Sequence, residues 1–593
     1  MTALGVTMKV ALIGAELEEN LGLRYMASAL EQRGHRAFIF PFNEEADIPA
    51  VVRQVMATAP EIAGLSMVFT GRAREFCRLA KSLRESGFTG HLTAGGHFAA
   101  LNCQQILTDF PEFDSIALGE GEELICELSE NLNDLSGVAG FCRRDEHGVI
   151  SVNPSRGNPA DLDALPFPRR DAFHEYFGKP IASILSSRGC WRSCAFCSID
   201  AWYRSGGGKK FRTRSIGNIV SEMKELYHGH GVRIFNFQDD NFFLPEPRKA
   251  LSRFTELRDA LWAEGVKEIA IAVKARPDSI NREVMGVLDD LGIFRVFLGV
   301  ENASERGLMN LNRKSSLSEI ENALKVLNDF DIHIAYNLLM FEPDTSMDDL
   351  LINLRFMERH TDNPFNFCRA EAYAATGLER KLRDEGILLG DYFGFDYRIK
   401  DLRVETFHRI ANYAFFDRNF NDYGLHYFNM EVDFTFQLFR RFFPDLLSQE
   451  LRSEVRSFIK ETNIDTYRCL SRIWDLVNAV DPLDADAVKE SMRSMRRRVD
   501  EGGVVLRARG ERVLEWLRMA HGSHGTEKRS SNAIFPGEPH LTPKFGIIPY
   551  NGIASLSGGG RDPVALGFLG SLSTPIPYAE FRKQLDEGRR PVH

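Results

Sequence analysis

The chain has 593 residues, length for roughly two to four domains, and 44% of them are hydrophobic, enough for several cores. A net charge of −10 and the lack of a long basic run argue against nucleic acid as a main partner. The absence of an eighteen-residue apolar run predicts no membrane span, residues 1–8 do not read as a signal peptide, and nine scattered cysteines point to a reducing cytoplasm rather than a disulfide framework.

Residues 8–14 read as a short buried strand. Residues 20–33 read as a helix, with Leu23, Met26, Ala27 and Leu30 on one face and Gly34 as its stop. Strands follow at 36–40, 62–68, 89–94 and from Ser115, and helices at 48–59, 73–86 and from Glu122. Strands alternating with helices predict an α/β unit with an open, doubly wound parallel sheet, whose ligands bind beyond the carboxyl ends of the strands. The loops at those ends carry Gly22 and Leu23, Ser66, Gly95-Gly96-His97 and Gly119-Glu120-Gly121. Glycines there allow tight turns and close backbone approach to a flat ligand, although each one alone is an ordinary turn residue. The first domain is set at 1–136. Residues 137–180 are a connector with a small hairpin and the proline-punctuated run Asn158-Pro-Ala-Asp-Leu-Asp-Ala-Leu-Pro-Phe-Pro.

A second alternating unit spans 181–390. Its strands are predicted at 181–186, 234–238, 269–274, 294–300, 332–339 and near 366–373, with helices at 216–227, 247–263, 282–291 and 317–329 between them. At its start stands Gly189-Cys190-Trp-Arg-Ser-Cys194-Ala-Phe196-Cys197, three cysteines within eight residues. Soft thiolates at this spacing suit an iron–sulfur cluster or zinc. A structural zinc site wants a fourth protein ligand, and the next cysteine is Cys368. Three cysteines leave one corner of a four-iron cluster open.

This motif resembles the radical S-adenosylmethionine (radical SAM) enzymes, which favour an aromatic residue where Phe196 stands. With the glycine loops ahead of it, the chain resembles the cobalamin-dependent members of that family over roughly residues 8–390. Asn20 stands where that family often has proline, and the Asp-x-His-x-x-Gly motif of other cobalamin enzymes is absent. The resemblance implies an N-terminal Rossmann-like cobalamin-binding domain and a partial (β/α)6 radical SAM barrel. It implies a 4Fe-4S cluster on Cys190, Cys194 and Cys197, with S-adenosylmethionine on its open iron. It implies cobalamin against Gly22, Leu23, Ser66, Gly95, Gly96, His97, Gly119, Glu120 and Gly121, with no protein histidine on its lower face, and His97 is read as a polar residue lining the loop. Three strand ends carry candidate S-adenosylmethionine contacts besides Phe196. Asp239 and Asp240 are acceptors for its ammonium. Arg276 suits its carboxylate or a nearby acid, and Glu301 its ribose.

Beyond residue 390 the resemblance fades. Residues 391–520 read as a helical, aromatic-rich appendage that could close the barrel's open side and supply a substrate pocket. Ser491–Arg498 is expected as a basic, solvated helix face, and 521–593 as an irregular tail rich in glycine, serine and proline. The leading expectation is a C-methyltransferase acting on a natural-product or peptide substrate through a 5'-deoxyadenosyl radical and methylcobalamin, with an electron donor such as flavodoxin or ferredoxin. Cyclisation, ring contraction or oxidation with the same cofactors is the alternative, and a non-catalytic cofactor-binding regulator is a third.

Overall fold

A computed structural model describes residues 7–145, 147–420 and 424–522. The expected tail at 523–593 lies outside the described residues.

The first sheet runs β2-β1-β3-β4-β5-β6-β7. Strands β1 (Lys9–Gly14), β2 (Arg36–Pro41), β3 (Ile62–Ser66), β4 (His91–Gly95) and β5 (Ser115–Ala117) are parallel. The order 2-1-3-4-5 is doubly wound, and the strand order reverses between β1 and β3. Helix α1 (Leu21–Gln32) starts where the Asn20 side chain accepts the Leu23 amide, and Gly34, at φ +81°, lets the chain turn back. It packs one face of the sheet with α6 (Gly121–Glu130), through Leu23, Ala27, Leu30, Leu124 and Leu128. Helices α2 (Ile48–Thr58), α3 (Ala73–Glu85), α4 (His97–Leu101) and α5 (Cys103–Asp109) cover the other. The hairpin read as part of a connector belongs to this sheet: β6 (Phe141–Arg144) and β7 (Ile150–Val152) add antiparallel strands beyond β5. Phe141 and Cys142 are buried there, a contact invisible in a four-residue strand met in isolation.

The second sheet runs β16-β15-β14-β13-β12-β9-β8. After the short antiparallel β8 (His174–Tyr176), six parallel strands follow: β9 (Lys179–Ile184), β12 (Ile234–Phe237), β13 (Ala270–Ala275), β14 (Ile293–Glu301), β15 (His333–Phe341) and β16 (Phe365–Arg369). A two-residue ladder, β10 (Ser187–Arg188) with β11 (Arg212–Thr213), stands at its mouth and brackets the cysteine loop and α7 (Ser198–Gly206). Helices α8 (Ile216–His230), α9 (Pro247–Ala263), α10 (Arg282–Leu291), α11 (Glu305–Asn310), α12 (Leu317–Asn328), α13 (Met347–Arg359) and α14 (Gly377–Asp384) fall between or after the strands. The sheet stays open, a partial barrel of six β/α units.

A hairpin, β17 (Leu389–Asp391) and β18 (Gly394–Asp396), leaves the barrel and returns to the first domain. Its tip lays Tyr392 and Phe393 against Phe98, and Tyr392 donates to Asp109 at 2.7 Å. Four helices complete the described residues: α15 (Leu402–Asn419), α16 (Leu425–Phe442), α17 (Gln449–Ala479) and α18 (Ala485–Gly522). Helix α15 packs on the free edge at β16, where Phe367 meets Phe415 edge-on. Helix α16 seats Phe434 among Tyr176, Phe294 and His333 at the starts of the strands. In the basic stretch of α18, Met492 and Met495 are buried while Arg493, Arg497 and Arg498 are exposed, the solvated face expected of it.

Candidate functional site

The carboxyl ends of the two sheets face each other, and the cysteine loop lies on that seam. Gly189 has φ +81°, and a Cβ there would sit 1.7 Å from the Lys210 carbonyl oxygen, so only glycine fits. Neighbouring loops fix the backbone that follows. Ala195 donates its amide to Leu311 and accepts one from Leu378, at 2.9 and 2.7 Å. Asn312 bonds the Ser193 carbonyl at 2.6 Å, and the Trp191 indole bonds that of Phe243 at 3.2 Å. Gly377, part of the Ala-Thr-Gly turn, lets the chain pass the loop: a Cβ there would be 3.3 Å from Ala195 Cα.

Cys190, Cys194 and Cys197 are half-buried, whereas Cys77, Cys126, Cys142, Cys368 and Cys469 are buried core residues. Burial pushes the Cys190 and Cys197 thiols up. Among the described residues no three His, Cys, Asp or Glu side chains converge on a single metal ion. Three thiols on a held loop, with no fourth beside them, are a donor set for three separate corners of an iron–sulfur cluster. Phe196 is buried in the barrel core, between two of these cysteines.

The acidic pair divides its work. Asp239 is fully buried, with its oxygens taken by the Ser186 amide at 3.0 Å and the Ser186 and Ser187 hydroxyls at 2.7 and 2.5 Å. It fastens β12 to the turn after β9, which corrects its reading as a ligand acceptor. Asp240 is half-buried and accepts the Gly189 amide at 3.1 Å. Burial raises its pKa to about 6 against the pull of Lys274. Arg276 is likewise committed within the protein, to Asp278 at 3.0 and 3.3 Å, the Arg313 carbonyl at 2.5 Å and Cys194 Sγ at 3.6 Å. Of its two expected partners, the nearby acid is the one it has. Glu301 ends β14 buried at φ +67°, a left-handed conformation uncommon outside glycine. Burial pushes its carboxyl up while Arg313, 3.9 Å away, pulls it down.

Across the seam, Ser66 ends β3 beside Gly14, where a Cβ would lie 3.0 Å from that of Ser66 and 3.1 Å from Leu23 Cδ1. Gly22 opens α1, but Leu23 is buried core rather than loop lining. Gly95 and Gly96 pass close to β3, and a Cβ on Gly96, at φ +97°, would meet the Met67 carbonyl at 3.0 Å. The His97 ring stands edge-on to Trp202 of α7, centroids 4.6 Å apart, and burial lowers its pKa to about 4, so it is a neutral imidazole. Gly119, at φ +114°, borders open space. Gly121 opens α6 against Met26.

Glu120 departs from expectation. Its carboxylate is buried against Arg188 at 3.0 Å and also pairs with Arg212, while Glu122 takes Arg188 at 2.6 Å. Arg188 lies two residues before Cys190, so these acids join the glycine loop to the cysteine loop and are not open to a ligand. A second buried chain joins Glu16 to Arg24, and Glu19 through Arg170 and Glu222 to Arg214.

Comparison with known proteins gives the same two-part order. Residues 12–129 match the B12 binding domain and residues 184–355 the Radical SAM superfamily. The solved structure of OxsB, a cobalamin-dependent S-adenosylmethionine radical enzyme with aqua-cobalamin bound, superposes with a TM-score of 0.62 at 17% identity, covering 89% of this chain and 82% of that one. The chain thus carries a B12-binding domain followed by a radical SAM domain. The cofactors of this radical SAM enzyme are a 4Fe-4S cluster, S-adenosylmethionine and cobalamin. The free thiols, the open space beside Gly119 and the buried Trp202 indole nitrogen, which has no hydrogen-bond partner, fit such groups on the seam. An uncharacterized methyltransferase of Pyrococcus horikoshii is 24% identical over 60% of this chain and 77% of its own length. The anaerobic magnesium-protoporphyrin IX monomethyl ester cyclase of Synechocystis is 29% identical over 53% and 62%. The hopanoid C-3 methylase of Methylococcus capsulatus is 28% identical over 55% and 61%. The chain thus spans less than two thirds of the latter two. Among the described residues no helix is long and apolar enough to cross a membrane.

Proposed function

We propose that this enzyme methylates an unactivated carbon of a small natural-product or peptide substrate. The observation that carries the reading is the seam: the glycine loops of the first sheet and the cysteine loop of the second face each other, with His97 against Trp202. Two of the three curated relatives named above are methyltransferases by name. When bound, the cofactors supply a 5'-deoxyadenosyl radical and a transferable methyl group. The protein's part is to hold, orient and keep dry. Cys190, Cys194 and Cys197 are assigned to the cluster. Asp240 is assigned to the S-adenosylmethionine ammonium and Glu301 to its ribose. Gly95, Gly96 and Gly119 offer backbone to the corrin, with neutral His97 at its edge. Phe196 supports the loop from beneath, and Ser66, Gly22 and Gly121 shape the floor of the cleft.

Nine cysteines with no disulfide bond among the described residues support a reducing cytoplasm, and the cluster calls for an external one-electron donor of the flavodoxin or ferredoxin type. The test is anaerobic purification with cobalamin and reconstituted iron, then turnover with S-adenosylmethionine carrying a deuterated methyl group. The expected product gains one labelled methyl in place of a hydrogen, with 5'-deoxyadenosine formed alongside. Deoxyadenosine with an unlabelled product would replace methylation by the cyclisation or oxidation reading, which the cyclase relative favours.

A further inference from the structure

The sulfur of Cys194 has two guanidinium groups against it. Arg313 Nη1 lies at 3.2 Å and Arg276 Nη1 at 3.6 Å. Both arginines are buried and held from behind. Arg276 is clamped by Asp278 and by the Arg313 carbonyl. Arg313 bonds the Gly299 carbonyl and faces Glu301. The strand makes room for this: a Cβ on Gly299 would stand 2.9 Å from an Arg313 nitrogen. Asp278 also takes Arg192 of the cysteine loop at 2.5 Å, so loop and arginines form one rigid unit.

We propose that Arg313 and Arg276 raise the reduction potential of a cluster held through Cys194. The inference rests on the reading that Cys194 is an iron ligand. Hydrogen bonds and positive charge at a ligating sulfur favour the state that carries the extra electron. Guanidinium stays charged at every working pH, and burial limits screening by salt. The arginines are positioning residues that act on the sulfur, and Arg276 has no free edge to give to a substrate carboxylate.

The test is a redox titration of the full-length enzyme, reconstituted anaerobically with iron and sulfide in the absence of S-adenosylmethionine. Dithionite with low-potential viologen mediators supplies one electron per cluster, and the reduced form is followed by electron paramagnetic resonance. In Arg313→Gln the reduction equilibrium is expected to fall about tenfold, a midpoint about 59 mV more negative for one electron. Arg276→Gln should move the same way by less, because its nitrogen is farther from the sulfur. Arg313→Lys keeps charge without the planar fork and should fall between wild type and Arg313→Gln. Wild-type protein without iron or signal would sink the ligand reading itself. A loaded wild type, with loaded variants that titrate at the wild-type midpoint, would sink the tuning role alone. Loss of iron from all three variants would overturn it too, by making the arginines supports of the loop.

Discussion

The two ends of the barrel are sealed by opposite chemistries. At the carboxyl ends of its strands the contact with the first domain is ionic, with Glu120 and Glu122 holding Arg188 and Arg212, and the same end holds Glu301 at positive φ beside Arg313. At the amino ends the contact with α16 is aromatic, centred on Phe434 with Tyr176 and Phe294. A deep polar pair there, His333 with Asp433 at 2.6 Å, is closed by Arg456 on the far oxygen. A fold can place stability at one end and chemistry at the other. Apolar contacts tolerate small shifts, whereas directed charges hold a geometry and leave strained groups available for function.

The hardest break at the chemical end is to replace Cys190, Cys194 and Cys197 together with alanine. All iron–sulfur absorption and all deoxyadenosine formation should vanish, while the secondary structure seen by circular dichroism persists. Iron retained by that triple variant would refute the assignment.

The comparison itself is tested by two single changes of similar energetic cost. Arg188→Ala strands the buried Glu122 carboxylate and leaves Glu120 to Arg212 alone, for a loss of about 3–5 kcal/mol, and Phe434→Ala empties an aromatic site for about 3–5 kcal/mol. Both should lower the unfolding temperature. Only Arg188→Ala should also lower cobalamin retained on gel filtration per folded molecule. Equal retention in the two variants would erase the distinction between the ends.

Glu301→Ala should leave fold and iron content intact and weaken S-adenosylmethionine binding. The lost charge-assisted hydrogen bond is about 1.5–3 kcal/mol, roughly one to two decades in affinity, and calorimetry on a cluster-loaded sample measures it. An unchanged affinity would return Glu301 to a structural part beside Arg313.

The smallest effect is in pH. Burial raises the Asp240 pKa from 3.8 to about 6, so its carboxylate is lost as pH falls through about 6. Binding of a cationic ammonium should weaken below that point by about tenfold per pH unit. Over the window from about 6 down to 3.8 the native state holds a proton the unfolded chain lacks, so this group adds stability as pH falls. Weaker binding there is therefore not unfolding driven by Asp240. A flat profile between pH 7 and 5 would remove Asp240 from the site, and Asp240→Asn should flatten it.

Much of the scaffold was legible because its signals are local. The expected helices at 247–263 and 282–291 coincide with α9 and α10, whose apolar spacing lies within the segments and whose boundary signals, Pro247 for the one and Asn281 and Gly292 for the other, stand at their ends. Six strands appear where six apolar runs stand, and the cysteine spacing is visible in eight residues. What escaped reading was partnership. The Gly-Glu-Gly-Glu sequence reveals two acids but not the arginine 66 positions away that takes Glu122. Asp239 and Asp240 are neighbours, yet one faces serines and the other the seam, because consecutive side chains leaving a strand point opposite ways. Arg313 had no local mark, since it reaches a cysteine 119 positions earlier. The crowd of phenylalanines after residue 404 announced apolar packing without saying which end of the barrel would receive it.

The returning hairpin has a consequence for the order in which the protein is made. Phe98 and Phe110 of the first domain are covered by Phe393, near the end of the second. On a ribosome adding about 5–20 residues per second, that cover emerges roughly 15–60 s after the surface it protects. Through that interval the nascent first domain shows an apolar patch with a ring of Arg74 and Asp109 waiting for their partners. Chains that stop short of residue 389 keep the patch bare, so nascent and truncated forms carry an aggregation hazard that the finished enzyme has folded away.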